Sequence, residues 1–331
     1  MLIDDWNEVS KEFQALGGVL QNATLDSTDR GYGLVAVCPG KPAQIFCPKE
    51  LLIDTDIFLG EYGLSTTAMT ERKLTSAKVI TISYLKAVFS EAEEKEDGVD
   101  SKIQTTFEVD RLLVEHGLPS LASRVSKDSA ERLKIFVDRR AVKDGSRRVL
   151  APIWDLINHS SFSAGYSRTK EGLLTSKTDT QEGEILHKYM PKASPLLLWQ
   201  KYGFSDRCTS AFSFPFRVSV PGTSLQICCK GKMYGNGKFL INQKTVDVDM
   251  IVVGSISRGL VKHQLLKGLN DAGVSAQQAR ELIILIIKYN IEKRLDLQRQ
   301  LLLKTSDAEQ LRHSLELELE LLEHSAKHSQ D

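Results

Sequence analysis

The sequence contains few of the features that mark the commoner alternatives. Its 331 residues carry five cysteines, Cys38, Cys47, Cys208, Cys228 and Cys229, none in CxxC spacing and none beside paired histidines. Neither a zinc cage nor a disulfide framework is indicated, and no metal is expected. Excess charge is lacking too: 43 basic residues balance 43 acidic ones. Composition thus gives no electrostatic reason to expect nucleic acid or membrane binding. Long hydrophobic runs are absent, the longest aliphatic one being Leu282 to Ile287, far short of the roughly 20 residues that cross a bilayer. The first residues, Met1-Leu2-Ile3-Asp4-Asp5, carry acids where a secretory signal carries bases, with no apolar stretch behind them. A reducing compartment, cytoplasm or nucleus, is the expectation.

What is present is ordinary globular composition, 41% hydrophobic and 26% charged, in a chain long enough for two cores. Trp6, Val9, Phe13 and Leu16 lie at helical spacing before Gly17-Gly18, which predicts a short entry helix. Short strand-like runs follow from about Gly31, Gly33 to Val37 and Gln44 to Phe46, parted by Pro39-Gly40-Lys41-Pro42. Helical periodicity takes over from Leu64 to about Val142. Val79, Ile82, Leu85, Val88 and Phe89 form one expected buried stripe, and the acidic run from Glu91 to Asp97 reads as a solvated loop. Asp128 and Glu131 stand in capping-box spacing ahead of a helix that ends on Arg139 and Arg140. Strands and turns return at about 149 to 240, including Leu173 to Ser176, the Glu182-Gly183-Glu184 turn and Ala211 to Phe214. Beyond about Val246 the pattern reads as helical to the end. Leu282, Leu285, Ile286 and Tyr289 make one stripe, and Leu311, Leu315, Leu319 and Leu322 another. Ser306 is the expected N-cap of the last helix, with Asp307 and Glu309 in its first turn and fraying from Ser325.

The sharpest local feature is Asp155, Asn158 and His159, three polar residues inside the apolar run Ala151-Pro152-Ile153-Trp154-Asp155-Leu156-Ile157-Asn158-His159-Ser160. Buried polar groups require partners. By itself the segment fits a turn closed by Asp and Asn, with a satisfied core histidine, as well as it fits a site. Gly31-Tyr32-Gly33 would be weak evidence alone. No helix pattern follows it and a third glycine is missing, which excludes a dinucleotide-binding turn.

In order along the chain, however, these segments resemble the SET-domain enzymes of the Rubisco large-subunit methyltransferase type. Gly31-Tyr32-Gly33-Leu34 is similar to the family's opening glycine turn, and Phe46 to Ile53 to the strand and proline after it. Arg140 falls where the family has an arginine, Leu150 to Ser160 resembles its Asn-His signature, and Gly165-Tyr166, Tyr189 and Tyr202-Gly203-Phe204 resemble its tyrosine segments. The likeness covers about Phe13 to Phe204. It implies an α+β fold: a SET β-clip of short strands (26–60 and 149–240) with a helical insert (61–148), together residues 1–240. An all-α C-terminal lobe of 241–331 would follow, in the place where relatives bind their protein substrate.

The resemblance also implies S-adenosylmethionine as cofactor and protein-lysine N-methylation of a non-histone protein by a monomer. Gly31, Tyr32 and Gly33 would offer backbone to the methionyl part, Arg140 would meet its carboxylate, and Asn158 its amino end. His159 and Phe204 would meet the adenine, with Tyr202 nearby. Tyr189 would be the catalytic tyrosine, with Asp155, Tyr166 and Val142 lining the acceptor channel. A histidine-methylating branch shares the segments around Asp144-Gly145-Ser146 and Pro152 to Asp155. It carries an Asn where this chain has Val142, and valine has nothing to offer an imidazole. A SET-like scaffold that binds partners without catalysis is the other alternative, supported by Met190 and Ala193-Ser194-Pro195 where relatives have a glycine and a Ser-Asn pair.

Overall fold

The computed structural model describes all residues except 1–4, 30, 66–74, 104–106, 121–127, 178–182, 191–192, 221, 231–238, 242–244, 249–250, 256–268, 305–307 and 328–331; side chains are also left undescribed at 92–103, 107, 177, 239–241 and 304. The expected cap at Ser306-Asp307 lies outside the described residues. Two compact units emerge, one formed by 1–101 with 126–191 and the other by 102–125 with 192–331.

The first unit opens with helix α1 (Trp6–Ala15), which buries Trp6 and Phe13. Gly17 beyond it has φ +90°, a left-handed exit that glycine makes without strain. Strands β1 (Val19–Gln21), β2 (Thr24–Thr28), β3 (Gly31–Val35), β4 (Ala43–Pro48) and β5 (Ile53–Asp54) lead to helices α2 (Thr55–Gly60) and α3 (Ser76–Ile103). After α5 (Ser129–Arg140) come β6 (Val142–Asp144), β7 (Arg147–Leu150), β8 (Asn158–His159), β9 (Ser167–Arg168), β10 (Gly172–Lys177) and β11 (Leu186–His187); the intervening α4 (Phe107–Glu115) belongs to the second unit. Small sheets share these strands: β1-β4-β10-β9, the β2-β3 hairpin, β5-β7-β6, and β8 parallel to β11 with Leu186 opposite Asn158 and His187 opposite His159. One core joins Leu34, Ile45, Cys47, Val149, Ile153, Trp154, Ile157 and Leu173. Another joins Phe58, Ile82, Leu85, Phe89, Leu133 and Phe136.

Helix α5 begins as read, the Asp128 side chain accepting from the Ala130 N–H, a cap worth about 1 kcal/mol. Two expectations fail in α3. Val79 is 49% exposed, so the buried stripe starts at Ile82. The acidic run from Glu91 to Asp97 continues the helix, because Glu, Lys and Ala favour helix and charge alone does not end one.

The second unit holds α4, α6 (Pro195–Tyr202), strands β12 (Ser210–Phe212), β13 (Phe216–Ser219), β14 (Gln226–Cys229), β15 (Phe239–Ile241), β16 (Thr245–Val248) and β17 (Val252–Ser255), and helices α7 (Ala276–Lys304) and α8 (Glu309–Lys327). Helix therefore does not begin at Val246. In β16, Val246 and Val248 are buried while Thr245 and Asp247 are half-buried, the period-two pattern of a strand with one face on a core. In α7 the buried stripe is Leu282, Ile283, Ile286 and Ile287, leaving Leu285 46% exposed. Helix α8 buries Leu311, Leu315, Leu319 and Leu322 as read, and remains helical through Lys327.

Candidate functional site

The polar island occupies the first unit. Pro152 and Ile153 carry the chain from β7 into a single 3-10 turn at Trp154–Leu156, and β8 follows at once. Ile153 enters that turn at φ +70° while completely buried. A β-branched residue pays about 1–3 kcal/mol to sit there and does so only where its surroundings fix it. The turn thereby holds Trp154, Asp155, Asn158 and His159 within six residues of the strained Ile153.

Asn158 is pinned by three acceptors. Its Nδ2 donates to Glu184 Oε1 at 2.8 Å and reaches the Tyr32 carbonyl at 3.3 Å and Thr28 Oγ1 at 3.5 Å. Because the amide nitrogen faces all three, Oδ1 is left turned away from them as an acceptor. Gly33 makes this possible: a Cβ built there would lie 2.5 Å from Asn158 Nδ2 and 2.8 Å from Glu184 Oε1. Gly31, at φ +99° with open space around it, serves the left-handed turn instead. The two glycines of one motif thus have different physical reasons.

His159 is buried and tied at both nitrogens. The Tyr189 backbone N–H donates to Nδ1 at 3.0 Å, which leaves the ring proton on Nε2, 2.9 Å from Ser161 Oγ. Its role in this network is to link β8 to the Tyr189 segment. The Tyr189 hydroxyl donates to the Ile157 carbonyl at 2.9 Å. Burial pushes its ionisation well above the usual phenol range, with Arg140 pulling the other way, so the phenol stays protonated and a donor.

An aromatic cluster surrounds that phenol. The His187 ring meets Tyr189 edge-on at 5.1 Å and Trp154 at 5.8 Å, with Tyr166 at 6.5 Å. Trp154 and Tyr166 also meet at 5.5 Å. The Tyr166 hydroxyl is used on the backbone of β6, donating to the Lys143 carbonyl at 3.1 Å and accepting from its N–H at 2.9 Å. Val142, at the start of β6, is half-buried against the first core. Asp155 accepts from the Tyr84 hydroxyl at 3.0 Å. Burial raises its carboxyl above the ordinary value despite the nearby Arg140. Arg140 lays its guanidinium over the Phe136 ring at 4.1 Å.

Three polar atoms here are buried without a hydrogen-bond partner among the described residues: Arg140 Nε, Trp154 Nε1 and His187 Nδ1. Native interiors leave few such atoms, and each calls for an explanation. The structure thus gathers Gly31, Tyr32, Gly33, Asn158, His159 and Tyr189 in one bonded network, with Asp155, Tyr166 and Arg140 connected to it by ring contacts or charge. Tyr202 and Phe204 belong to the second unit, stacked on each other at 5.9 Å around the α6 terminus, where Gly203 takes φ +80°.

Sequence reasoning missed Tyr84, Trp154, Glu184 and His187. Two of these had a signal. Glu184 flanks a recognised turn, and His187 stands two residues before Tyr189, which in extended chain puts both on one face.

No family model and no curated protein matches the sequence. Solved structures do. The structure of Rubisco LSMT bound to sinefungin and monomethyllysine aligns with 98% of this chain and 91% of its own, at 15% identity and TM-score 0.50. The SET domain of LSMT bound to lysine and AdoHcy aligns with 99% and 91%, at 13% identity and TM-score 0.46. The chain has the SET-domain fold. In that fold the Asn-His segment is the parallel partner of β11, and the Ser194-Pro195 departure after Tyr189 has a local reason. Ser194 caps α6 by accepting from the Leu197 N–H at 3.1 Å, with Pro195 at its first position.

Proposed function

We propose that the protein transfers a methyl group from S-adenosylmethionine to a lysine side chain of a non-histone protein. The observation that carries this reading is the junction at β8: an amide held by a carboxylate on one side, and a protonated tyrosine inside an aromatic cluster on the other, joined through His159. The Rubisco LSMT structure bound to sinefungin and monomethyllysine supports it by analogy of fold.

The residues present fit the cofactor. Asn158 Oδ1 faces away from Glu184 and suits an ammonium, the more so with that carboxylate behind it. The buried, unpartnered Arg140 Nε suits a carboxylate. The Gly31-Tyr32-Gly33 backbone would lie along the methionyl chain and the backbone of His159 along the adenine. When bound, S-adenosylmethionine supplies an electrophilic methyl on a sulfonium.

The protein's own contribution is alignment of a neutral amine. Trp154, Tyr166 and Tyr189 exclude water, which disfavours an ammonium and lowers its pKa. The Tyr189 hydroxyl, with the Ile157 carbonyl it binds, fixes the nitrogen on the line of transfer, and Asp155 holds the turn through Tyr84. Lysine is favoured over histidine because Val142 offers no hydrogen bond to an imidazole. In this reading the C-terminal lobe, 241–331, supplies docking area for the protein substrate, since a lysine side chain alone offers little. The protein would act in the cytoplasm or nucleus as a monomer.

Incubation of cell lysate with methyl-labelled S-adenosylmethionine, followed by mass spectrometry, tests this. Wild type should label lysine, and Tyr189→Phe should keep cofactor binding while losing at least tenfold in turnover. Label on histidine, or none at all, would replace the reading with the histidine-directed or the scaffold alternative.

A further inference from the structure

His187 is buried to 3% exposure, and its Nδ1 has no hydrogen-bond partner among the described residues. The expected course for a core histidine is the one His159 takes, with both nitrogens bonded within the fold. His187 instead packs its ring among Trp154, Tyr166 and Tyr189. Its backbone is held in β11: the carbonyl accepts from the Ser160 N–H at 3.1 Å, and the residue pairs with His159. The backbone therefore fixes where the ring sits, while the ring nitrogen is left for something else. An unsatisfied buried nitrogen destabilises the fold. Phenylalanine would fill the same aromatic packing without that cost.

We propose that His187 accepts a hydrogen bond from the substrate amine, holding its N–H at Nδ1 while the nitrogen lone pair faces the methyl donor. This rests on the methyltransferase reading of the site. The proposal requires the Nε2–H tautomer, in which Nδ1 is an acceptor and not a donor, as an amine N–H needs. The ring stays neutral at physiological pH, since burial and the neighbouring His159 push its pKa down to about 4. The other titratable groups whose rings face it are Tyr166 and Tyr189. The Tyr166 hydroxyl is committed to Lys143 on both sides, and the Tyr189 oxygen, which donates to Ile157, has acceptor capacity for one amine N–H, so His187 supplies an acceptor for the other. No covalent step passes through it, and the proton lost by the lysine leaves before transfer.

The test compares wild type, His187→Phe and His187→Asn using labelled S-adenosylmethionine and lysate protein, with calorimetric cofactor titrations alongside. Phenylalanine keeps the packing and removes the acceptor; asparagine restores an acceptor. Expected are cofactor affinities within threefold of wild type for all three, a kcat at least tenfold lower for His187→Phe, and partial recovery in His187→Asn. The acid limb of the kcat/KM profile should also move in His187→Phe, because the acceptor is lost from the amine's surroundings. A His187→Phe enzyme with wild-type kcat and profile overturns the proposal, as do equal losses in both variants with cofactor binding intact, which would signify packing alone. A wild type that binds no cofactor brings down the methyltransferase reading and this inference with it.

Discussion

Gly33 shows how one absent side chain organises the site. A methyl group there would come within hydrogen-bond distance of both Asn158 Nδ2 and Glu184 Oε1, so the chain keeps a glycine where no left-handed φ requires it. The glycine pair was visible in the sequence, but its reason was not, because Glu184 lies about 150 residues away and meets Gly33 only in the fold. At the same scale His187 leaves a mark on stability. Its pKa falls from 6.5 in the unfolded chain to about 4 in the fold, so between those values the unfolded state binds more protons. Its contribution is fully present above about pH 6.5 and lost as pH falls toward 4, an effect of about 3 kcal/mol. Asp155, whose carboxyl is raised, acts in the opposite sense, losing stability as pH rises above the ordinary carboxylate value. Denaturant melts at pH 7 and pH 4.5 should therefore show a smaller acid loss in His187→Phe than in wild type. Equal losses would mean that the imidazole is not buried neutral.

Elements were legible where a local signal governs them. The Asp128 cap, the Gly17 exit and short strands at β3 and β4 formed as read, β3 ending at Val35, because capping, backbone freedom and turn residues act over a few residues. Misreadings came where burial decides. Thr245 to Val248 alternates as a strand should, yet lies near long helical stripes, and the pairing of β16 with β14 and β15 is a long-range fact. The Glu91 to Asp97 run shows the converse error, since solvation does not distinguish a loop from an exposed helix. Ser194-Pro195, a departure from the family pattern in sequence, is a helix start in structure. Ser194→Ala should cost the second unit about 1 kcal/mol in chemical denaturation while leaving cofactor affinity unchanged. A weakened cofactor affinity would mean that the segment bears on the site directly.

For the molecule as a whole, each unit has its own keystone. In the second unit Arg294 and Glu318, 0% and 1% exposed, pair at 2.5 Å, and Arg294 also reaches Asn290. A buried pair so fully bonded fixes how α7 meets α8 more than it adds net stability. In the first unit the equivalent role falls to the Asn158-His159 network, which ties β2, β3, β8 and the Tyr189 segment together through polar atoms. That network explains why the order of short motifs was more informative than any one of them. Each motif supplies a single partner, and only the fold shows that Glu184 and His187 complete the set. The central claim is that this network is a cofactor site. Calorimetric titration with S-adenosylmethionine tests it most directly, using wild type, Asn158→Ala and Gly33→Ala. The account predicts saturable binding by wild type, weakened at least tenfold in both variants while their folds are retained. No heat of binding with wild type, or equal affinity in all three, would contradict it.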